Sequence, residues 1–378
     1  MEFKKLHLGT ISYSKDAMQD IVTSLALSLS RAEADNGRKG LSASAGAGGS
    51  ATRGTTRRDV THRLQEIIFA LALCHNVTPV VDDGEQGTGA VAYQAASPDE
   101  VAIVKWTASI GLALVKRDLS TITLASTAGV QYEFEILSVF PFTSESKRMG
   151  IIVRDKRNNA ITFYMKGADT VMGTIVQYND WLDEETGNMA REGLRTLVVA
   201  RKSLSEAEYN DFEASYAAAK VDVHDRNGRM KGVLSTMLER DLDLLGLTGV
   251  EDKLQDNVKS TLELLRNAGI RVWMLTGDKV ETAINIAVSS KLVARNQTIH
   301  EMSKITSVLE AMDQLDILRA RDDACLVIDG GTLQVCLDHC LDDFVACAIQ
   351  LPAVVCCRCS PTQKADIVRC VEDKYIFY

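Results

Sequence analysis

Val272-Trp273-Met274-Leu275-Thr276-Gly277-Asp278-Lys279-Val280-Glu281-Thr282-Ala283 reads as a buried strand that breaks at Gly277 and resumes as a helix. In an open α/β sheet such a junction lies at the carboxyl end of a strand, where phosphate-bearing ligands bind. Thr276 offers a hydroxyl, the loop offers backbone N–H groups, and the helix N-terminus adds partial positive charge. Taken alone, the segment reads better as an ordinary strand–turn–helix connection. The remainder of the chain decides between the two.

Beyond about residue 240 the pattern alternates strictly between strand and helix. A helix at 255–268 leads to a strand at 270–275 and a helix at 279–289. A strand at 324–328 precedes helices at 331–339 and 341–349, and a strand at 353–358 precedes a helix opening at Ser360-Pro361. That alternation predicts a parallel, doubly wound sheet. About three strands are visible, so the sheet reads as incomplete. The strand at 353–358 delivers Arg358 and, one turn into the next helix, Lys364. A hydroxyl, backbone amides and an ammonium at strand ends suit a transferring phosphoryl group, whose charge spreads over its oxygens.

Residues 90–235 have a different texture, with strands predicted at 112–116, 121–126, 130–141, 149–155, 160–165 and 194–201. Helices are predicted at 61–75, 168–178, 205–219 and from Ser97-Pro98-Asp99-Glu100, where Ser97 and Glu100 suggest a capping box. The expectation is one antiparallel sheet with flanking helices. Residues 31–58, rich in Ala, Gly, Ser and Arg, cannot form a core and read as a disordered insertion. Lys166, before Gly167-Ala168-Asp169, Arg195, in Gly193-Leu194-Arg195-Thr196-Leu197, and Phe142 all stand at predicted strand ends. A nucleotide needs an aromatic face for its base and cations for its phosphates, although each residue singly reads as core or surface charge.

Composition narrows the class. Lys and Arg number 42 against 51 Asp and Glu, a net charge of −9, with no basic stripe of the kind that binds nucleic acid. No apolar run approaches the roughly 18–20 residues that cross a bilayer, and the first residues do not resemble a signal peptide. The nine cysteines crowd towards the end. Cys356 and Cys357 lie in a β-branched apolar run and read as buried, reduced thiols rather than as a zinc site.

Taken in order, Ser97-Pro98-Asp99-Glu100, Lys166-Gly167-Ala168-Asp169, Gly193 to Leu197, Gly249-Val250-Glu251-Asp252-Lys253-Leu254-Gln255, Met274 to Ala283 and Arg358 to Lys364 resemble the cytoplasmic portion of a P-type ATPase of the phospholipid-flippase (type IV) subfamily. The segments Phe3 to Tyr13 and Leu244 to Gln255 look most like its Golgi and endosomal branch, whose members act without the accessory glycoprotein subunit. The resemblance implies residues 1–24 as a hinge strand from the phosphorylation domain and residues 25–240 as a nucleotide-binding domain. It implies residues 241–378 as part of a haloacid-dehalogenase-like phosphorylation domain. It further implies that Glu100, Phe142, Lys166 and Arg195 contact ATP, and that Thr276, Gly277 and Asp278 hold the phosphoryl group and nucleotide phosphates. Arg358 and Lys364 match basic positions of that site, with Lys364 steadying an aspartyl phosphate.

The chain departs from the family pattern as well. It contains no DKTGT motif with the phosphorylated aspartate, and no Gly-Asp-Gly motif for magnesium follows Lys364. Glu145 stands where a basic residue is usual. Aspartyl-phosphate catalysis needs a carboxylate nucleophile and a magnesium ion, so these 378 residues alone are expected to bind ATP without hydrolysing it. No metal-ligand set is assigned. Two other readings compete: a non-enzymatic nucleotide-binding or interaction module, and a soluble haloacid-dehalogenase-type phosphatase. The latter needs an Asp-x-Asp nucleophile at a strand end, and Asp241-Leu242-Asp243 is expected to enter no sheet strand.

Overall fold

Residues Gln131–Phe140 show at their start the alternation of a half-buried strand, with Tyr132 and Phe134 turned inward. They occupy an interior position of a large sheet. The computed structural model describes residues 1–14, 17–39, 55–81, 91–294, 297–321 and 323–375. Two units separate: Met1–Thr186 with Thr196–Glu251, and Gly187–Arg195 with Asp252–Tyr378.

The first unit carries β1 (Glu2–His7), β2 (Ser12–Tyr13), β3 (Thr78–Val81), β4 (Val91–Gln94), β5 (Leu112–Arg117), β6 (Thr121–Ser126), β7 (Gln131–Phe140), β8 (Arg148–Asp155), β9 (Ile161–Gly167), β10 (Val176–Gln177), β11 (Leu194–Leu204) and β12 (Leu242–Glu251). β3 and β4 form a separate ribbon. The others build one sheet in the order β2-β1-β12-β11-β9-β8-β7-β6-β5, with β10 beside β12. Neighbours are antiparallel from β5 to β9, at β9–β11 and at β1–β12, and β10 runs parallel to β12. Helices Thr55–Leu73 and Pro98–Ser109 supply Ile67, Ile68, Leu71, Ile103 and Val104 to the core over β5 to β8. Full burial of such side chains contributes about 1.5–3 kcal/mol each.

The second unit holds β13 (Val272–Leu275), β14 (Thr298–Met302), β15 (Ala324–Asp329) and β16 (Ala353–Cys357) in the parallel order β13-β16-β15-β14. Every residue of β16 is buried, as a parallel strand covered on both faces requires. Val354 and Cys356 enter one core, and Ala353, Val355 and Cys357 the other. The fold class is therefore as expected: a mainly antiparallel sheet with helices, plus a doubly wound parallel sheet.

Several local expectations are corrected. The parallel sheet has four strands, because Thr-Ile-His-Glu-Met at 298–302 also forms one; its His and Glu hide the strand pattern, although His300 is buried. Helices Met18–Lys39 and Thr55–Leu73 run into the stretch 31–58 read as a disordered insertion, since Arg31-Ala32-Glu33-Ala34 are strong helix formers. Residues 40–54 lie outside the described residues. The helix at 168–178 is one turn, Asp169–Met172, followed by β10. Leu242 and Asp243 open β12, so Asp241-Leu242-Asp243 does enter a strand. That strand belongs to the mainly antiparallel sheet, not to the parallel α/β sheet whose strand carboxyl ends carry such chemistry. Among the described residues, no helix is long and apolar enough to cross a membrane.

Candidate functional site

The polar centre of the first unit is built at one end of its sheet. β7 finishes at Phe140, β8 starts at Arg148, and Arg148 pairs with Gly167 at the end of β9. The loop carrying Phe142 and the strand end carrying Lys166 thus share one sheet end. The close approach of β8 and β9 there requires glycine, because a Cβ on Gly167 would meet Arg148 Cβ at 2.8 Å and the Lys147 carbonyl at 2.9 Å. Phe142 is 59% exposed, unusual for so large an apolar side chain.

Lys166 itself is buried. Its Nζ lies 2.7 Å from Glu100 Oε1, with side-chain exposures of only 6% and 11%. The other Glu100 oxygen accepts the Asn76 N–H at 3.1 Å. Glu100 is therefore not the arm of a capping box, and Ser97 caps the helix Pro98–Ser109 without a side-chain hydrogen bond. The end of helix Thr55–Leu73 adds Cys74, His75 and Asn76. Arg117 lies against His75 Nδ1 (3.2 Å) and Asn76 Oδ1 (3.3 Å). The Val77 N–H also points at Nδ1, which leaves Nε2 to donate to the Ala72 carbonyl at 2.8 Å. Burial, then the charges of Arg117 and Lys166, hold His75 well below its ordinary range, so it is neutral. Burial also pushes the Cys74 thiol up to about 11.

Glu145, which replaces an expected base, pairs with Lys231 at 2.6 Å. Helix Arg226–Val233 thus brings a cation to the Phe142 loop from a distant part of the sequence.

The polar centre of the second unit sits at the carboxyl ends of β13 and β16. Thr276 Oγ1 donates to Asp278 Oδ2 at 2.8 Å and accepts the Asp278 N–H at 3.1 Å. Arg195 Nε donates to Asp278 Oδ1 at 2.7 Å, and its Nη2 reaches Asp252 Oδ2 at 3.2 Å. The backbone of the loop is tied to the neighbouring strand end: Arg358 N–H donates to the Asp278 carbonyl at 2.9 Å, and Cys359 N–H to the Thr276 carbonyl at 3.0 Å. Gly277 is exposed at the apex. Helix Val280–Ser289 begins directly after the loop, its N-terminus facing the same end of the sheet. Lys364, half-buried in the first turn of helix Pro361–Tyr375, is close enough to Cys359 for its charge to lower that thiol's pKa.

Arg195 is seated by the turn before it. Gly193 takes a φ of +81°, and a Cβ there would meet Asn285 Oδ1 at 2.8 Å; only glycine adopts that region freely. Asn285 in turn donates to the Arg191 carbonyl at 3.0 Å.

The residues singled out from sequence therefore fall into two groups. Glu100 and Lys166 touch, with Phe142 at the same sheet end. Arg195, Thr276, Gly277, Asp278 and Arg358 lie together, with Lys364 beside Cys359. Asn76, His75, Arg117 and Asp252 complete these groups and carry no local sequence signal, except that Asp252 lies in the Gly249-to-Gln255 motif. Among the described residues, no three His, Cys, Asp or Glu side chains gather as a metal-ion ligand set.

An antiparallel sheet with a buried Lys–Glu pair and a parallel sheet presenting Thr-Gly-Asp at a strand end are the two folds expected of a P-type ATPase. Residues 63–174 match the family model described as "P-type ATPase, cytoplasmic domain N". The chain is 52% identical to the "Probable phospholipid-transporting ATPase IIB" of Danio rerio over 98% of its length and 34% of that protein's. It is 50% identical to the "Phospholipid-transporting ATPase NEO1" of Saccharomyces cerevisiae, over 97% of the chain and 31% of the relative. It is also 50% identical to the "Probable phospholipid-transporting ATPase tat-5" of Caenorhabditis elegans, over 98% and 32%. The chain belongs to the P-type ATPase family, in the group of these relatives, and spans about a third of their length.

Proposed function

We propose that this chain is the ATP-binding and phosphate-handling portion of a phospholipid-transporting ATPase, in which ATP hydrolysis through an aspartyl phosphate drives phospholipid translocation. The observation that carries this reading is the identity of about one residue in two along nearly the whole chain with phospholipid-transporting ATPases. In this assignment residues 25–240 provide nucleotide binding, residues 241–378 part of the phosphorylation domain, and residues 1–24 a hinge strand from the phosphorylation domain. Phe142 stacks on adenine, Glu100 contacts the nucleotide, Lys166 lies deep in the pocket and Arg195 is near the phosphates. Thr276, Gly277 and Asp278 cradle the phosphoryl group, with Arg358 and Lys364 as its flanking cations.

Several features support these roles physically. An exposed aromatic face beside a buried charge pair suits a base with an exocyclic amine. Backbone amides and a helix N-terminus suit a phosphate. The complete protein would take ATP with Mg²⁺ and act at Golgi or endosomal membranes without an accessory glycoprotein subunit; the lipid itself would engage parts outside these residues. For the 378 residues alone we expect nucleotide binding without turnover.

The test is isothermal titration of ATP against the chain and against Phe142→Ala. Loss of the stacking face should weaken binding about ten-fold or more, since aromatic stacking on a base is worth about 1–3 kcal/mol. Unchanged affinity would remove Phe142 from the site, and no binding by the unaltered chain would refute the reading as a whole.

A further inference from the structure

Cys356-Cys357-Arg358-Cys359 carries a C-x-x-C spacing that a reading of these cysteines as inert core thiols passes over. Strand alternation sends Cys356 and Cys357 to opposite faces of the sheet. Cys357 lies in one core with its thiol donating to the Ile328 carbonyl at 3.2 Å, while Cys356 and Cys359 lie together in the other. Arg358 makes this possible. Its φ of 51° is left-handed, so the chain turns back and returns Cys359 to the side of Cys356. The two thiols lie in one core, close enough to perturb each other, and the Cys359 thiol donates to the Cys357 carbonyl at 3.6 Å.

We propose that Cys356 and Cys359 are a reversible dithiol–disulfide pair, oxidised by hydroperoxides, whose state is transmitted to the Thr276–Asp278 loop. The transmission is short and runs through backbone hydrogen bonds. The Thr276 N–H donates to the Cys356 carbonyl at 2.8 Å, Cys359 N–H to the Thr276 carbonyl at 3.0 Å, and Arg358 N–H to the Asp278 carbonyl at 2.9 Å. Any closure of the 356–359 turn therefore acts on backbone bonded directly to that loop. A metal is the poorer partner for these sulfurs, because the described residues offer no third ligand beside them.

Cys359 is the better placed of the two to act as nucleophile, because it is the less deeply buried and the Lys364 charge acts on it. The Cys356 thiol beside it, and then the Lys364 charge, lower the Cys359 thiol against its burial. Cys359 beside it, with burial, raises Cys356 well above its usual range. Burial pushes Cys325, Cys336 and Cys357 up to about 12, the range of inert thiols. Cys359 thiolate would attack the peroxide, forming S–O and breaking O–O, with the departing oxygen taking a proton to leave as water or alcohol. Cys356 sulfur would then attack the Cys359 sulfur as its proton passes to the leaving hydroxide. S–S forms, S–O breaks and a second water departs. Two thiols lose two hydrogens and one hydroperoxide is reduced.

The experiment exposes the full chain to hydrogen peroxide at neutral pH, quenches, alkylates under denaturing conditions and maps cysteines by mass spectrometry. The expected product is a peptide joining Cys356 to Cys359, lighter by two hydrogens and restored by dithiothreitol, with Cys336 and Cys340 still alkylated. Hydrogen exchange at the Thr276, Arg358 and Cys359 amides should change with it. Cys359→Ser should abolish the product, and Cys356→Ala should leave a sulfenic acid at position 359 that dimedone captures. Persistence of both thiols, irreversible oxidation of Cys359 alone, or pairing with another cysteine in the unaltered chain would overturn the proposal whatever the variants do. Because the readout is the state of the thiols, it stands or falls separately from nucleotide binding.

Discussion

Lys166 illustrates how a residue read as a ligand contact is also a structural element. Its ammonium is 2.7 Å from Glu100 and nearly sealed from solvent. Lys166→Ala therefore does not leave the fold untouched: it strands a buried carboxylate, which costs about 3–5 kcal/mol. We expect its urea midpoint to fall sharply, with Lys166→Met plus Glu100→Leu recovering much of the loss; a midpoint for Lys166→Ala equal to that of the unaltered chain would contradict the pairing. His75 beside them supplies a pH signature. Its folded-state pKa is depressed by burial, then by Arg117 and Lys166, whereas unfolded histidine titrates near about 6.5. Below that pH the unfolded chain binds the extra proton, so stability falls as pH drops and is fully present above it. Denaturation midpoints measured from pH 8 to 5 should decline below about 6.5, and His75→Gln should flatten the decline. An equal slope in that variant would show that other groups carry it. Lys166 could be picked out from the strand-then-glycine pattern around it. Asn76, His75 and Arg117 could not, because they arrive from a helix end and another strand with no local pattern.

At the scale of elements, the junction of β8 and β9 is the most constrained by shape. Gly167 allows Arg148 to pack against the strand end that carries Lys166, and an added methyl has no room against backbone at 2.9 Å. Gly167→Ala should cost about 1–3 kcal/mol, the usual range for overpacking, and should move amide shifts at Lys147 and Arg148 first. A stable variant with unmoved Lys147 and Arg148 shifts would place the tolerance elsewhere. The long strands here were legible because alternation in β7 and continuous burial in β16 are strong periodic signals. β14 and β12 were harder to read for opposite reasons. Thr298–Met302 puts His and Glu into a parallel strand, breaking the apolar run such strands normally show. Leu242–Glu251 begins with the Asp-Leu-Asp surroundings of a turn, and Asp241 does take a left-handed φ of 57° before the strand starts. Arg195 shows a third limit. Its place in a Gly-Leu-Arg-Thr run marks a strand end, but the sequence could not reveal that the preceding turn packs on helix Val280–Ser289 and so brings Arg195 to Asp278.

For the molecule as a whole, the two units differ in how their sheets end. The first unit's broad sheet is flanked by the short β2 at one edge and by a bulged β5 at the other, both ordinary ways of blunting an edge. The second unit's sheet ends at β13, where Val272, Trp273, Met274 and Leu275 are all only partly buried. A 670 Å³ cavity opens beside it, lined by Trp273, Leu275, Ile367, Val368 and Val371. Its partner β16, by contrast, is wholly buried. An apolar strand covered on one side contributes less burial than its length suggests, and an unpaired edge lowers the cost of local opening. The chain should therefore not unfold in one step, since two separate cores need not lose structure together. The tryptophans separate the units: Trp106 and Trp181 belong to the first and Trp273 to the second. In a Trp106→Phe, Trp181→Phe variant, Trp273 emission should shift red at lower urea than the loss of far-ultraviolet ellipticity, much of which comes from the larger unit. Coincident transitions for the two signals would mean that β13 is as firmly held as the buried strands, against what its partial exposure implies.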